Sequence, residues 1–134
     1  MPKHNPILRI ITHLTLPLYM LYAIYIQLSG TDGCGGGFQA GIVATCTYVN
    51  YDLTYGPVAW LTQKQLVMLA CLGVWLYIAV GLYCILAGGN FLNYFIIDTT
   101  QGQRMGIGIV EVGVLATVFA VTTLLYEQFK KLTK

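Results

Sequence analysis

The chain has 134 residues, of which 57% are hydrophobic and only 9% charged, with a formal net charge of +2. An average soluble domain is about one quarter charged, so this composition excludes an ordinary soluble fold, and no nucleic-acid partner is expected. The mean hydropathy of +0.69 makes the chain a membrane protein.

Residues 7–29 form the first apolar run, long enough as a helix to cross a hydrocarbon core of about 30 Å, which takes roughly 20 residues. The run is too long for a signal-peptide core and lacks a small-residue cleavage pattern after it, so it is expected to be retained. Arg9, His13 and Pro17 recur at four-residue steps and share one helix face. Imidazole titrates near neutral pH, which makes His13 a candidate proton relay; the alternative is a packing residue near a helix end. Pro17 removes a backbone hydrogen bond and is expected to kink the helix.

The segment from Ser29 to Gly41 reads SGTDGCGGGFQAG. Gly35, Gly36 and Gly37 carry no side chain, so they tolerate positive φ and let neighbouring backbone approach closely, at a cost in conformational entropy. Such a hinge between two apolar runs implies a tight turn into a packed helix.

The second candidate span, 36–55, is less apolar than the others. It carries Gln39, Thr45, Thr47, Asn50, Asp52 and Thr54, too polar a set to face lipid all round, while Gly37, Gly41 and Thr45 recur at every fourth position. Small residues at that spacing admit close helix packing, with amides and hydroxyls bonding across the contact. Gln39, Asn50 and Asp52 are therefore expected on a buried polar helix, covered in part by partner subunits.

The third span is expected over 66–87 and the fourth over 105–129. Glu111 lies about two turns in from Arg104, on the order of 10 Å deep at ~1.5 Å per residue. Intramembrane carboxylates are costly and face a bundle interior, a water path or a partner. Glu111 is thus a candidate ion-relay group whose protonation responds to desolvation and neighbouring charge; the alternative is an interhelical hydrogen bond or ion pair. Arg104 is expected to snorkel to the interface.

Together these runs predict an all-α membrane protein, a single four-helix transmembrane domain over 1–134. With four spans, Lys3, Arg9, Lys64, Lys130, Lys131 and Lys134 share one side and Arg104 lies opposite. The positive-inside rule makes the lysine-rich side cytoplasmic, N-in and C-in, with the hinge and the loop over 90–103 facing outward. Tyr51, Tyr55, Trp60, Tyr94, Tyr126 and Phe129 stand near the span ends, where amphipathic rings anchor at headgroup depth.

Several chemistries are absent from the pattern. No Lys-Ser/Thr follows the glycines, so a phosphate-binding loop is excluded. Cys34, Cys46, Cys71 and Cys84 are scattered without metal-ligand spacing and read as packing groups, so no metal or cofactor is expected. No nucleophile comes with a base and an orienting acid in sequence. No internal repeat of the kind found in self-contained transporters is present.

The order of these features resembles a known family. ILRIITHLTLPLYMLYAIYIQLSG, then GGGFQAG, a third span ending in AGGNFL, and GIGIVEVGVLATVFAVTTLLYE are similar to the B subunit of Mrp-type multisubunit cation/proton antiporters. Gly30, Gly35, Gly36, Gly37, Phe38 and Gly41 match the family's hinge, while Thr31, Asp32, Cys34 and Ala40 stand where His, Asn, Pro and Gly are usual. The resemblance implies a non-enzymatic subunit that helps assemble a complex exchanging Na+ for H+ in a bacterial cytoplasmic membrane. Its implied partners are the other hydrophobic subunits and membrane lipid. Two alternatives are the equivalent subunit of a hydrogenase-like or other complex-I-related ion pump, and a small homo-oligomeric channel.

Overall fold

The computed structural model describes residues 6–30, 35–58, 61–94 and 100–133. Lys3, Thr31, Asp32, Cys34, Trp60 and Lys134 lie outside the described residues. Among the described residues four helices follow in order: α1 Pro6–Ser29, α2 Gly37–Tyr55, α3 Gln63–Leu86 and α4 Thr100–Leu132. Among the described residues, α1, α3 and the Gly102–Leu132 portion of α4 are long and apolar enough to cross a membrane; α2 is shorter and more polar.

Two helix starts differ from the hydropathy reading. α3 begins at Gln63 and not at 66, because Gln65 Oε1 accepts from the Thr62 main-chain N–H (2.8 Å) and the Thr62 hydroxyl (2.5 Å), half of a capping box. α4 begins at Thr100 and not at 105, so Gln103 and Arg104 are helical and not part of the preceding loop. Hydropathy marks the length that suits hydrocarbon, whereas hydrogen bonding carries a helix on through polar residues.

The helices pack side by side in the spatial order α1, α2, α4, α3, with a minor contact between α1 and α4. α1 and α2 run antiparallel, since the Thr12 and Thr54 hydroxyls share a hydrogen bond of 3.0 Å and Tyr55 OH donates to Arg9 O at 3.2 Å. α2 and α4 run parallel, with Gly37 beside Glu111 at one end and Asp52 beside Lys130 at the other. α3 is antiparallel to α4: Gly73 faces Gly113 and Thr117, while Tyr83 shares a groove with Gly102. The start of α1 and the end of α4 therefore lie together. Arg9, Lys64, Lys130 and Lys131 gather at that end, and Arg104 lies at the opposite one.

A row of helices encloses little. Ala23, Ile26, Ala40, Tyr48, Leu66, Cys84 and Ala120 are buried, whereas Leu18, Leu21, Trp75 and Leu86 are among many large apolar side chains left exposed. Apolar faces this extensive are untenable in water and suited to lipid or to partner helices. α1 remains one helix across Pro17.

Small residues make the inner contacts. A Cβ added at Gly37 would overlap the main-chain carbonyl of Glu111, and one at Gly41 would lie 2.9 Å from Val118 Cβ. At the α3–α4 crossing, a Cβ on Gly113 would lie 2.8 Å from Gly73 O. Gly37→Ala is accordingly expected to force α2 off α4 and to destabilise the chain by about 1–3 kcal/mol. Gly108→Ala, where a Cβ meets nothing within 4 Å, serves as the tolerated control. Unfolding midpoints of the two variants in detergent test this difference.

Candidate functional site

The parallel α2–α4 seam carries two polar centres. Because both helices advance in the same direction, positions 37, 41, 45, 48 and 52 meet 111, 115, 122, 126 and 130 in order. The shared periodicity aligns polar groups along one contact.

The first centre lies at the hinge. α1 ends where Ser29 Oγ donates to Tyr25 O (2.9 Å), and the chain re-enters through Gly35 and Gly36 to start α2. Gly36 has φ of 140°, a conformation open to glycine and strained for other residues. A Cβ at Gly30 would overlap the Glu111 carboxylate, and one at Gly36 would sit 3.6 Å from Glu111 Oε1. The hinge backbone thus forms one wall around this carboxylate. Phe38 at the start of α2 is exposed, as is Gln39.

Glu111 also lines a cleft. Glu111 Oε2 and Gln27 Oε1 are both buried and have no hydrogen-bond partner among the described residues. With Arg104 they line a cleft of about 660 Å³ whose remaining walls, including Leu28, Leu76, Met105 and Ile109, are apolar. The cleft opens on the flank of the row. A buried oxygen without a donor costs about 1–3 kcal/mol.

The second centre lies near the C-terminal ends of both helices. Asp52, 4% exposed, accepts from Tyr126 OH at 2.7 Å and is ion-paired and hydrogen-bonded to Lys130 through the same Oδ2. Its Oδ1 has no partner among the described residues. Tyr48 OH donates to Glu127 Oε1 at 2.6 Å, and the Tyr48 and Tyr126 rings meet edge to face with centroids 6.3 Å apart. Two carboxylates, two phenols and an ammonium form one network.

Between the centres the seam is narrow. Thr45 and Thr122 share a hydrogen bond of 2.6 Å, but from Glu111 to Thr122 the contact is made by Gly41, Leu115 and Val118. The eleven residue steps of α4 between them span roughly 16 Å. No chain of polar groups bridges them among the described residues.

The sequence-predicted residues separate accordingly. Glu111, Gly36 and Gly37 converge, and Gly35 packs beside Ile26 O at the end of α1. His13 does not join them: it is exposed on α1 in a groove with Arg9 and Tyr55, at the opposite end. Asp52 is buried, Asn50 is half-buried and Gln39 is exposed, so Asp52 is the member of this set enclosed within the chain. Gln27, Tyr48, Glu127 and Lys130 have site roles that hydropathy does not mark. The recurrence of Thr122, Tyr126 and Lys130 at every fourth position was the available signal. Among the described residues no group of His, Cys, Asp or Glu is arranged to hold a metal.

The profile of a family described as a domain related to the MnhB subunit of Na+/H+ antiporter matches residues 7–124. This stretch contains the hinge, Gln27 and Glu111 and stops before Tyr126. No curated protein gives a significant match. The chain belongs to the MnhB-related family.

The Asp52–Lys130 pair has a testable energetic signature. Lys130→Met leaves a buried carboxylate without its ammonium, a loss of about 3–5 kcal/mol for a fully buried pair. With the Lys130 side chain 31% exposed the effect is smaller, on the order of 2 kcal/mol. The double variant Asp52→Leu with Lys130→Met is expected to recover most of that loss. Unfolding midpoints of the two variants and the parent provide the measurement.

Proposed function

We propose that this member of the MnhB-related family is a non-enzymatic, multi-pass subunit of a Na+/H+ antiporter in a bacterial cytoplasmic membrane, where it helps assemble the complex and shapes the ion route beside Glu111. The observation that carries this reading is Glu111, whose carboxylate lies against the Gly30 backbone of the hinge and which lines a cleft with Gln27 and Arg104. A carboxylate beside a cleft lined from α1, α3 and α4, with about 16 Å of tight apolar seam before the next polar contact, serves a route completed by another subunit. It does not line a pore through this chain alone.

The alternating helix directions support a four-span topology in which α2 crosses between α1 and α4, shielded from lipid on two sides. The end bearing Arg9, Lys64, Lys130 and Lys131 is then cytoplasmic, N-in and C-in. Arg9 reinforces that end by lying over the Tyr55 ring, 5.6 Å from its centroid.

In this role Glu111 holds or releases a proton, or attracts a cation, as the ion passes. Glu111→Gln keeps the shape and one hydrogen-bonding oxygen but abolishes the charge. Sodium-dependent proton exchange in everted vesicles is expected to fall at least about tenfold, the effect of removing a positioned acid–base group. The complex is expected to stay assembled on a native gel. Full exchange in this variant would remove Glu111 from the ion route.

A further inference from the structure

We infer that the groove between the start of α1 and the end of α2 binds the phosphate headgroup of an anionic phospholipid, with Arg9 and His13 as its donors. The inference needs α1 to cross the membrane and is independent of the ion that the complex exchanges.

Arg9 and His13 stand one turn apart on α1, and the fold adds Tyr55 from α2. These three residues line one groove of about 390 Å³, which Ile10 and Leu14 complete. With 24 residues α1 is roughly 36 Å long, a few ångströms more than a hydrocarbon core of about 30 Å. Its first turn therefore reaches headgroup depth, and Arg9 stands in that turn.

Arg9 is held in place but not neutralised. Its guanidinium lies over the Tyr55 ring, 5.6 Å from the centroid, and its main-chain carbonyl accepts from Tyr55 OH at 3.2 Å. A ring face compensates part of the charge but offers no lone pair, so the five N–H donors of the guanidinium are left for an acceptor. The carboxylates among the described residues are engaged or remote. Asp52 pairs with Lys130, Glu127 accepts from Tyr48, and Glu111 lies at the opposite end of the row. His13 adds at least one ring N–H beside Arg9 in either of its protonation states.

The floor of the groove decides what kind of anion enters. A guanidinium matches the oxygens of a phosphate two at a time. Beyond the two donors the surface turns apolar: Ile10, Leu14 and Leu21 follow one another along one face of α1 and are 61%, 64% and 69% exposed. A ligand that fits both parts carries an anion at one end and a long hydrocarbon chain below it, which is the build of a phospholipid. Basic pockets between membrane helices take up anionic headgroups by the same chemistry. Lys64, Lys130 and Lys131 gather at this end as well and draw anionic lipid toward it.

The experiment reconstitutes the protein, with the subunits it retains, into phosphatidylcholine vesicles containing a minor share of phosphatidylglycerol with a photo-reactive acyl chain. A parallel sample carries the same reactive chain on phosphatidylcholine. After irradiation, lipid-modified peptides are identified by mass spectrometry. On the peptide containing Ile10 and Leu14, the phosphatidylglycerol adduct is expected to exceed the phosphatidylcholine adduct at least about fivefold. The double variant Arg9→Gln with His13→Gln is expected to lower it to the phosphatidylcholine level. Lys131→Gln, which removes a charge from the same end but outside the groove, is expected to change the adduct by less than about twofold. Equal labelling by the two lipids would overturn the site, as would an equal loss in Lys131→Gln and the double variant. So would the absence of any lipid adduct on this peptide, the result if a protein partner covers the groove.

Discussion

The approach of the α2 backbone to the α4 backbone at Gly37 sets the register of the parallel seam, and with it the position of nearly every polar group in the chain. A side chain at 37 would occupy the space of the Glu111 carbonyl, so no other residue allows this contact without separating the helices. Once the contact is made, the common helical repeat carries Thr45 to Thr122, Tyr48 to Tyr126 and Asp52 to Lys130. In lipid such groups have no water to turn to, so register and hydrogen bonding enforce one another. A slip of one residue would rotate each partner by about 100° around its axis and unpair them all.

The same constraint divides the seam into two electrostatic regimes. At the end shared by Asp52, Tyr126 and Lys130, the carboxylate has a counter-charge inside the chain through Oδ2, and the network ties α2 to α4 near the basic end of the row. At the hinge end, Gly30, Gly36 and Gly37 wall Glu111 without offering it a hydrogen-bond donor in the described residues. Each carboxylate keeps one buried oxygen without a partner among the described residues, but Asp52 has an ammonium beside it in the seam. An incomplete polar site on the flank of a row that leaves most of its apolar side chains exposed is the expected anatomy of a subunit, because lateral contacts in membranes combine close packing with interhelical hydrogen bonds.

Much of the helical plan was legible beforehand. The apolar runs located α1, α3 and α4 because hydrocarbon demands about 20 apolar residues whatever the tertiary fold. The four-residue spacing of Gly37, Gly41 and Thr45 marked the packing face of α2, and that face is the one applied to α4. The starts of α3 and α4 were displaced because a cap at Thr62 and polar helical turns near Arg104 do not register in hydropathy. His13 and Glu111, both chemically suited to relay protons, stand at opposite ends, since residue type carries no information on where two helices bring their side chains.

By itself the sequence determined the membrane environment, the helical content, the glycine hinge and the presence of one carboxylate deep in an apolar span, because each follows from local composition or from the short period of a helix. Only the tertiary structure decided that the hinge and Glu111 are a single site, that Gln27 shares its cleft, and that Lys130 neutralises Asp52 from 78 residues away. These are relations between helices, set by packing order and register, and neither is encoded in any one segment. A run of glycines shows that backbone can come close; the fold alone shows what it comes close to.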